Sequence, residues 1–424
     1  MLPASLVQAA RGPTAASPKP RLRSIVARLT TANALFMAAG LLTGPLLARS
    51  LGPSGRGALA AVAVPVSLGP ILLGLGLPAF VTRETARGEP AENLLGSVGL
   101  LYLLIGGLAA AAAVPVSAYF AQGREPVRVA LMIAMLTMPL LLWGQLLLSM
   151  ANGSQRWRMV LGARLAPAVV ALVGTTTLFA LHRLHLAQAA ALVLVGTFAS
   201  IVPTLGILRG MGRPRVRGRL LRSSLRFALP AWLWQTGTLA NARLDQLLMV
   251  SLTSARELGL YAVAVSLAGA SSVFAGALGP ALLPRVAQGE EALAGRVCRV
   301  SLLAATLGGV ALAALCPVAL PLLFGAGFSG AVPMALVLIA ASVPNAGTQV
   351  LTSALLAADR PRIVALAEGV SVAITVVGLL LLIGPLGGLG AALVSAAAYT
   401  VTFAILLWGA HMRFSLSWRE LLVA

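Results

Sequence analysis

SLGPSGRGALAAVAV at residues 50–64 returns as SLTSARELGLYAVAV at 251–265, 201 positions later, with seven of fifteen positions identical and no gap. A composition rich in Ala, Val and Leu inflates chance matches, so a duplication must reappear elsewhere at nearly the same offset. It does: PAFVTR at 78–83 returns as PALLPR at 280–285, and QRWRMV at 155–160 as DRPRIV at 359–364. Offsets of 201, 202 and 204 describe two halves separated by small insertions. Internal duplication of this kind is a mark of secondary transporters.

Each half must live in lipid. Hydrophobic residues make up 59% of the chain and charged ones 10%, with a mean hydropathy of +0.94, too apolar for a soluble domain of this length. Twelve stretches are long enough to cross about 30 Å of hydrocarbon as helices: residues 25–48, 58–82, 94–119, 127–151, 159–181, 187–208, 227–250, 258–283, 297–320, 331–356, 363–384 and 388–410. Of the 31 basic residues, 24 fall in the tails and the even-to-odd connections or within six residues of them, six fall in or at the margin of the opposite loops (Arg49, Arg56, Arg124, Arg128, Arg183 and Arg256), and Arg243 lies deeper inside a span. That asymmetry places both termini in the cytoplasm. Six spans per half is an even number, so the repeats enter the membrane in the same sense.

The expected fold is therefore an all-α polytopic membrane protein. Twelve transmembrane helices form two parallel six-helix repeats, a two-lobed bundle around a central cavity. Its expected segments are a disordered cytoplasmic tail at 1–24, a lobe at 25–208, a basic cytoplasmic connector at 209–226, a second lobe at 227–411 and a tail at 412–424. The N-terminal tail carries Pro13, Pro18 and Pro20 and lacks a small-residue cleavage site, so span 1 is expected to remain as a signal anchor.

The net charge of +20 tracks one side of the bilayer, so topology explains most of it and nucleic acid is not implied. Its densest run is Arg209, Arg213, Arg215, Arg217, Arg219, Arg222 and Arg226, with Leu220, Leu221 and Leu225 interleaved. That composition suits a segment lying on anionic inner-leaflet lipid, with Arg215, Arg219, Arg222 and Arg226 as contacts; plain positive-inside signalling is the alternative. The chain has one lysine, Lys19, which excludes a phosphate-binding GxxxxGK[ST] loop. His182, His185 and His411, with Cys298 and Cys316, form no metal-ligand spacing, so no metal or cofactor is expected. The two cysteines belong to one helix, which argues against a disulfide. External loops of about ten residues or fewer weaken an enzyme reading.

Charges inside spans are costly, so each one is a functional candidate. Trp234, Thr238, Asn241 and Asp245 recur at i, i+4, i+7 and i+11 on one face of span 7. A carboxylate beside amide and hydroxyl oxygens suits H⁺ or Na⁺ coupling; the alternative is an interhelical hydrogen bond with no transport role. Arg243 points about 200° away from Asp245 and is a candidate pyrophosphate ligand, or it snorkels to the interface. Glu368 in span 11 shares a face with Ser371 and Thr375, and its repeat mate in span 5 is Arg164. Shifted back by 201, the span 7 stripe becomes Asn33, Met37, Gly40 and Gly44, small and nearly neutral, so the coupling site is expected in the second half with room for bulk beside the first.

LARSLGPSGRGALAAVAV at 47–64 resembles the A-R-x-L-G-P-x-G-x-G connection of bacterial polysaccharide flippases, in the multidrug/oligosaccharidyl-lipid/polysaccharide exporter superfamily. LDQLLMVSLTSARELGLYAVAV at 244–265 is similar to the matching second-half segment, where an Asp on helix 7 precedes x-x-G-x-Y. The resemblance implies alternating access of two lobes that carry polyisoprenyl-pyrophosphate-linked oligosaccharide to the external leaflet of the bacterial inner membrane. It also implies Asp245 as the helix 7 acid, a cationic cavity supplied by Arg243 and Arg164, and polysaccharide-assembly proteins such as a glycan polymerase as partners. Gly57 and Ala58 depart from the pattern, standing where relatives often place Tyr. Two transport alternatives share the architecture: a cation-coupled multidrug exporter and a peptidoglycan lipid-precursor flippase.

Overall fold

The computed structural model describes residues 22–121, 123–209, 211–271, 292–358 and 360–414; within these, the side chains of residues 22–34, 36, 37, 228–231, 233–243, 270, 271 and 292 lie outside the description. Most of the expected N-terminal tail and the C-terminal residues 415–424 fall outside it as well. The described chain is helical throughout. Its elements are α1 (Leu22–Leu73), α2 (Leu77–Ala86), α3 (Ala91–Ala111), α4 (Ala113–Ala121), α5 (Glu125–Leu136), α6 (Met138–Gly153), α7 (Trp157–Ala180), α8 (Leu186–Ala199), α9 (Gly218–Leu252), α10 (Ala255–Ser271), α11 (Ala292–Phe324), α12 (Val332–Ala357) and α13 (Pro361–Phe414). Short 3₁₀ turns at Val202–Leu208 and Ala326–Ala331 extend α8 and lead into α12.

Two of these helices are too long to be single spans. At 1.5 Å per residue, the 52 residues of α1 and the 54 of α13 would each run about 80 Å, against about 30 Å of hydrocarbon. Both turn back at a glycine. Gly52 has φ 65° and ψ 179°, and Gly387 has φ 54° and ψ −134°, backbone conformations in which a β-carbon collides with its own main chain. Pro53 then starts the second leg of α1, where its missing N–H costs nothing. Other spans are broken without reversing. Leu75 and Gly76, both at positive φ, part α1 from α2, while α5 and α6 meet at Thr137 with a 56° bend just before Pro139.

Among the described residues, seven helices are long and apolar enough to cross a membrane, and the bent α5–α6 pair makes an eighth. Dividing α1 and α13 at their glycines and adding α9 and α10 gives an arrangement consistent with the twelve expected spans. α9 starts at Gly218, nine residues before the expected span 7, so Arg219, Arg222 and Arg226 ride on its first turns. The chain is a multi-pass membrane protein with two ends: a basic end, which carries Arg209–Arg226, and a distal end, where the Gly52 and Gly387 turns lie.

The hydrophobic core shows how the lobes meet. Toward the distal end one cluster spans both halves, joining Ala48, Leu59 and Val62 to Tyr261, Phe324, Phe328 and Ile383. Toward the basic end the core divides in two. One cluster gathers Leu77, Phe80, Tyr102, Leu142 and Leu146 in the first half; the other gathers Cys298, Leu351, Val364 and Leu406 in the second. Among the described residues, the halves are thus fused at the distal end and built around separate cores at the basic end. α9 bridges them, packing on α13 and reaching α1, α2 and α3. Its Trp232 indole N–H donates to the Leu72 carbonyl at 2.8 Å. Cys298 and Cys316 are both free and buried, on one helix.

Candidate functional site

The distal junction is sealed by backbone. A β-carbon placed on Gly57 would lie 1.6 Å from the Ala255 carbonyl oxygen, and one on Gly259 would lie 1.9 Å from that of Pro53. The duplicated segments therefore cross each other at two glycines, closer than side chains permit. Beside the crossing, the Arg49 guanidinium donates from Nε to the Leu323 carbonyl at 2.9 Å and from Nη2 to that of Leu322. These carbonyls lie in the last turn of α11, where helical partners run out and the dipole favours a cation. One side chain of the first half thus clasps a helix end of the second.

Asp245 sits on α9 near this seal and is only 7% exposed. Oδ1 accepts the Gln246 backbone N–H at 2.7 Å, and Oδ2 accepts the Tyr261 hydroxyl of α10 in a short hydrogen bond. Tyr261, fully buried, is also 3.0 Å from Ser395 Oγ on the second leg of α13. A cavity of about 90 Å³ opens onto this cluster, lined also by Ser342, Asn345 and Tyr399. Carboxylate, phenol, hydroxyls and amide from four helices thus surround a space large enough for a small cation or water, with oxygen ligands suited to a hard ion. Sequence reasoning missed Tyr261 as a partner of Asp245 and Ser395 as the partner of Tyr261. The x-x-G-x-Y spacing was the only signal for the first, and Ser395 is 134 residues from Tyr261 in sequence.

Thr238, Asn241 and Arg243 share α9 with Asp245, but their side chains lie outside the described residues. Glu368 is half-buried on the first leg of α13, seven residues from its start at the basic end. It is not among the residues lining the Asp245 cavity. The two acids belong to opposite ends of the bundle, as their positions along the spans implied.

A larger cavity of about 390 Å³ lies against the first half. Its lining includes Gly40, Thr43, Arg56, Thr175 and Thr197, with Gln246 and Ser266 from the second half. Asp245 and Gln246 thus face different cavities across α9. Gly40 belongs to the small, neutral stripe expected on span 1, and a β-carbon there would meet nothing within 4 Å. Arg164 is exposed and precedes Ala168, Ala171 and Thr175 at i+4, i+7 and i+11, so it shares the face of α7 that lines this cavity, nearer the basic end. Arg56 requires a correction. Expected in a loop, it stands inside the second leg of α1 and lines the cavity.

At the basic end the connector is strapped to α3. Arg215 N–H donates to the Glu92 carbonyl at 3.0 Å, Gly212 N–H to the Glu92 carboxylate at 3.0 Å, and Arg217 N–H to Ser97 Oγ at 2.9 Å. Gly96 permits this approach, since a β-carbon there would fall 2.4 Å from the Arg215 carbonyl oxygen. Arg215, Arg219, Arg222 and Arg226 all remain exposed.

A family model described as polysaccharide biosynthesis protein matches residues 24–290. No curated protein sequence is significantly similar to the chain. Among solved structures, the lipid II flippase MurJ in an inward closed conformation superposes with a TM-score of 0.74 at 12% identity, over 90% of this chain and 87% of that one. An inward-facing multidrug resistance MATE transporter of the MOP superfamily gives 0.70 at 14%, over 89% and 94%. A MOP superfamily transporter from Pyrococcus furiosus, described as having a binding pocket of reverse polarity, gives 0.57 at 14%, over 92% and 95%. At these identities the likeness is one of fold.

Proposed function

Because the chain belongs to the polysaccharide biosynthesis protein family of the MOP superfamily, we propose that it flips a polyisoprenyl-pyrophosphate-linked oligosaccharide from the cytoplasmic to the external leaflet of the bacterial inner membrane. The observation that carries this reading is the division of the core, one shared cluster at the distal end and two at the basic end. A bundle fused at one end and divided at the other can pivot, and pivoting about a central cavity is alternating access. Charge asymmetry assigns the basic end and both termini to the cytoplasm, so the conformation described here is closed to the outside. The glycan occupies the lumen beside the first half, and the isoprenoid stays in lipid. Arg164, and Arg243 at span 7, meet the pyrophosphate. Arg215, Arg219, Arg222 and Arg226 hold the connector on anionic inner-leaflet lipid, and polysaccharide-assembly proteins receive the product.

Asp245 couples the cycle to an H⁺ or Na⁺ gradient. Its carboxylate is held by donors from α9 and α10, with Ser395 of α13 behind Tyr261, so charging or neutralising it changes the contact between three helices. An ion shifts the equilibrium only through unequal affinity for the two states, and a cavity assembled from four helices has that property when the helices separate. The small Asp245 cavity and the likeness to a multidrug transporter also favour cation-coupled small-molecule export as a second reading. Likeness to a lipid II flippase keeps a peptidoglycan precursor as the alternative cargo. Reconstitution into proteoliposomes separates these readings. Loss of a fluorescent prenyl-pyrophosphate glycan from the inner leaflet, without dye extrusion, supports the proposal; gradient-driven dye extrusion with static glycolipid refutes it.

A further inference from the structure

Arg56 and Glu257 are repeat mates, 201 positions apart at the same place in the duplicated segment, and the structure gives them opposite fates. Glu257 is a staple. Its Oε2 accepts the Gly388 backbone N–H at 2.8 Å, anchoring the start of the second leg of α13, where a helix N-terminus welcomes an anion. A cation at the equivalent position of the first half cannot serve a helix N-terminus in that way. Arg56 instead lines the 390 Å³ cavity, and its Nε is enclosed with no hydrogen-bond partner among the described residues. An enclosed guanidinium N–H without an acceptor is a standing cost in a folded protein. The hydroxyls that line the same cavity do not relieve that cost and already donate elsewhere: Thr43 to Ala39 at 2.8 Å, Ser67 to Val64 at 2.9 Å, Thr197 to Val193 at 2.8 Å and Ser266 to Ala262 at 2.7 Å, each to a carbonyl of its own helix. Their oxygens keep lone pairs for the cavity, which therefore combines one cationic fork with several acceptors.

We infer that Arg56 is a further oxyanion ligand of the lumen, distal to Arg164, a site for a phosphate or pyrophosphate group whose attached hydroxyls donate to the oxygens lining the cavity. A guanidinium fork matches phosphate oxygens bidentately, and a polyol beside the phosphate supplies the donors that Thr43, Ser67, Thr197 and Ser266 accept. The duplication changed an acid that closes a hairpin into a base that faces cargo. Arg56 also immediately precedes Gly57, so the anion sits directly beneath the distal seal and leaves when the α1–α10 crossing parts. The oxyanion chemistry stands on the cavity alone; its assignment to a lipid-linked glycan rests on the flippase reading.

The test measures binding to the purified full chain in detergent, with inorganic pyrophosphate and a detergent-dispersed polyprenyl pyrophosphate as separate probes. Wild type is compared with Arg56→Gln, Arg56→Lys and Glu257→Gln. The expected result is binding that Arg56→Gln weakens about 10- to 100-fold, the range of a lost charge-assisted hydrogen bond. Arg56→Lys should restore part of it, and Glu257→Gln should leave affinity unchanged while lowering the melting temperature. If both probes or only the prenyl compound bind in this Arg56-dependent way, the site and its cargo are supported together. If only inorganic pyrophosphate does so, the anion site stands and the lipid-linked reading fails. Equal affinity in wild type and a folded Arg56→Gln variant, or no binding of either probe to wild type, overturns the inference.

Discussion

Replacing Gly57 with alanine should open the distal seal. The added β-carbon would stand 1.6 Å from the Ala255 carbonyl oxygen, 2.6 Å from its carbon and 2.9 Å from the Gly259 nitrogen. All three neighbours are backbone atoms, so no rotamer change relieves the overlap, and the second leg of α1 must move away from α10. Overpacking a well-filled core costs about 1–3 kcal/mol. Most of that cost falls on the closed state, because the clash exists only where the two segments cross. The closed-to-open ratio should then fall roughly 5- to 150-fold. A cysteine at Ser266, which lines the cavity behind the seal, reports this directly in a background with Cys298 and Cys316 replaced by alanine. A membrane-impermeant maleimide added from outside should label it at least 5-fold faster with Gly57→Ala than without. Gly308→Ala, whose β-carbon would meet nothing within 4 Å, is the control. Unchanged labelling in a folded Gly57→Ala protein would refute the assignment of this crossing as the seal.

Asp245→Asn should retain the fold and lose at least 10-fold in gradient-driven flipping in proteoliposomes. Tyr261→Phe, which removes the hydroxyl shared by Asp245 and Ser395, should lower flipping less and cost about 1–2 kcal/mol of stability by denaturant titration. Glu257→Ala removes the acceptor for the Gly388 N–H and should lower the melting temperature, with a stability loss of about 1 kcal/mol. Gly96→Leu drives a side chain into the Arg215 backbone, so limited trypsin digestion between Arg213 and Arg217 should proceed faster than in wild type.

The duplication and the twelve apolar runs made the architecture legible, because lipid imposes a length and a polarity on every span. The Gly52 turn lies inside the very segment whose repetition revealed the halves. What that segment does in three dimensions was not legible. Offsets near 201 place Pro53 and Ala255 in equivalent stretches but cannot say that the stretches cross, since contact between repeats is a tertiary fact. Hydropathy leaves Arg56 in a loop because it falls between the apolar runs at 25–48 and 58–82; the helix resumes at Pro53, and Arg56 faces the cavity. Asp245 was identified from the cost of a buried charge, whereas its side-chain partner Tyr261 lies on another helix. Helical spacing sees only one face of one helix, which is why it offered Thr238 and Asn241 and passed over Ser395.

The central claim is transport of a lipid-linked glycan coupled through Asp245, and the most direct measurement is the leaflet distribution of polyisoprenyl-linked glycan in cells depleted of this protein. Depletion should accumulate the glycolipid on the cytoplasmic side, with wild type restoring the external pool and Asp245→Asn failing to restore it at equal expression. An unchanged distribution on depletion would contradict the account and leave small-molecule export as the better description of the fold.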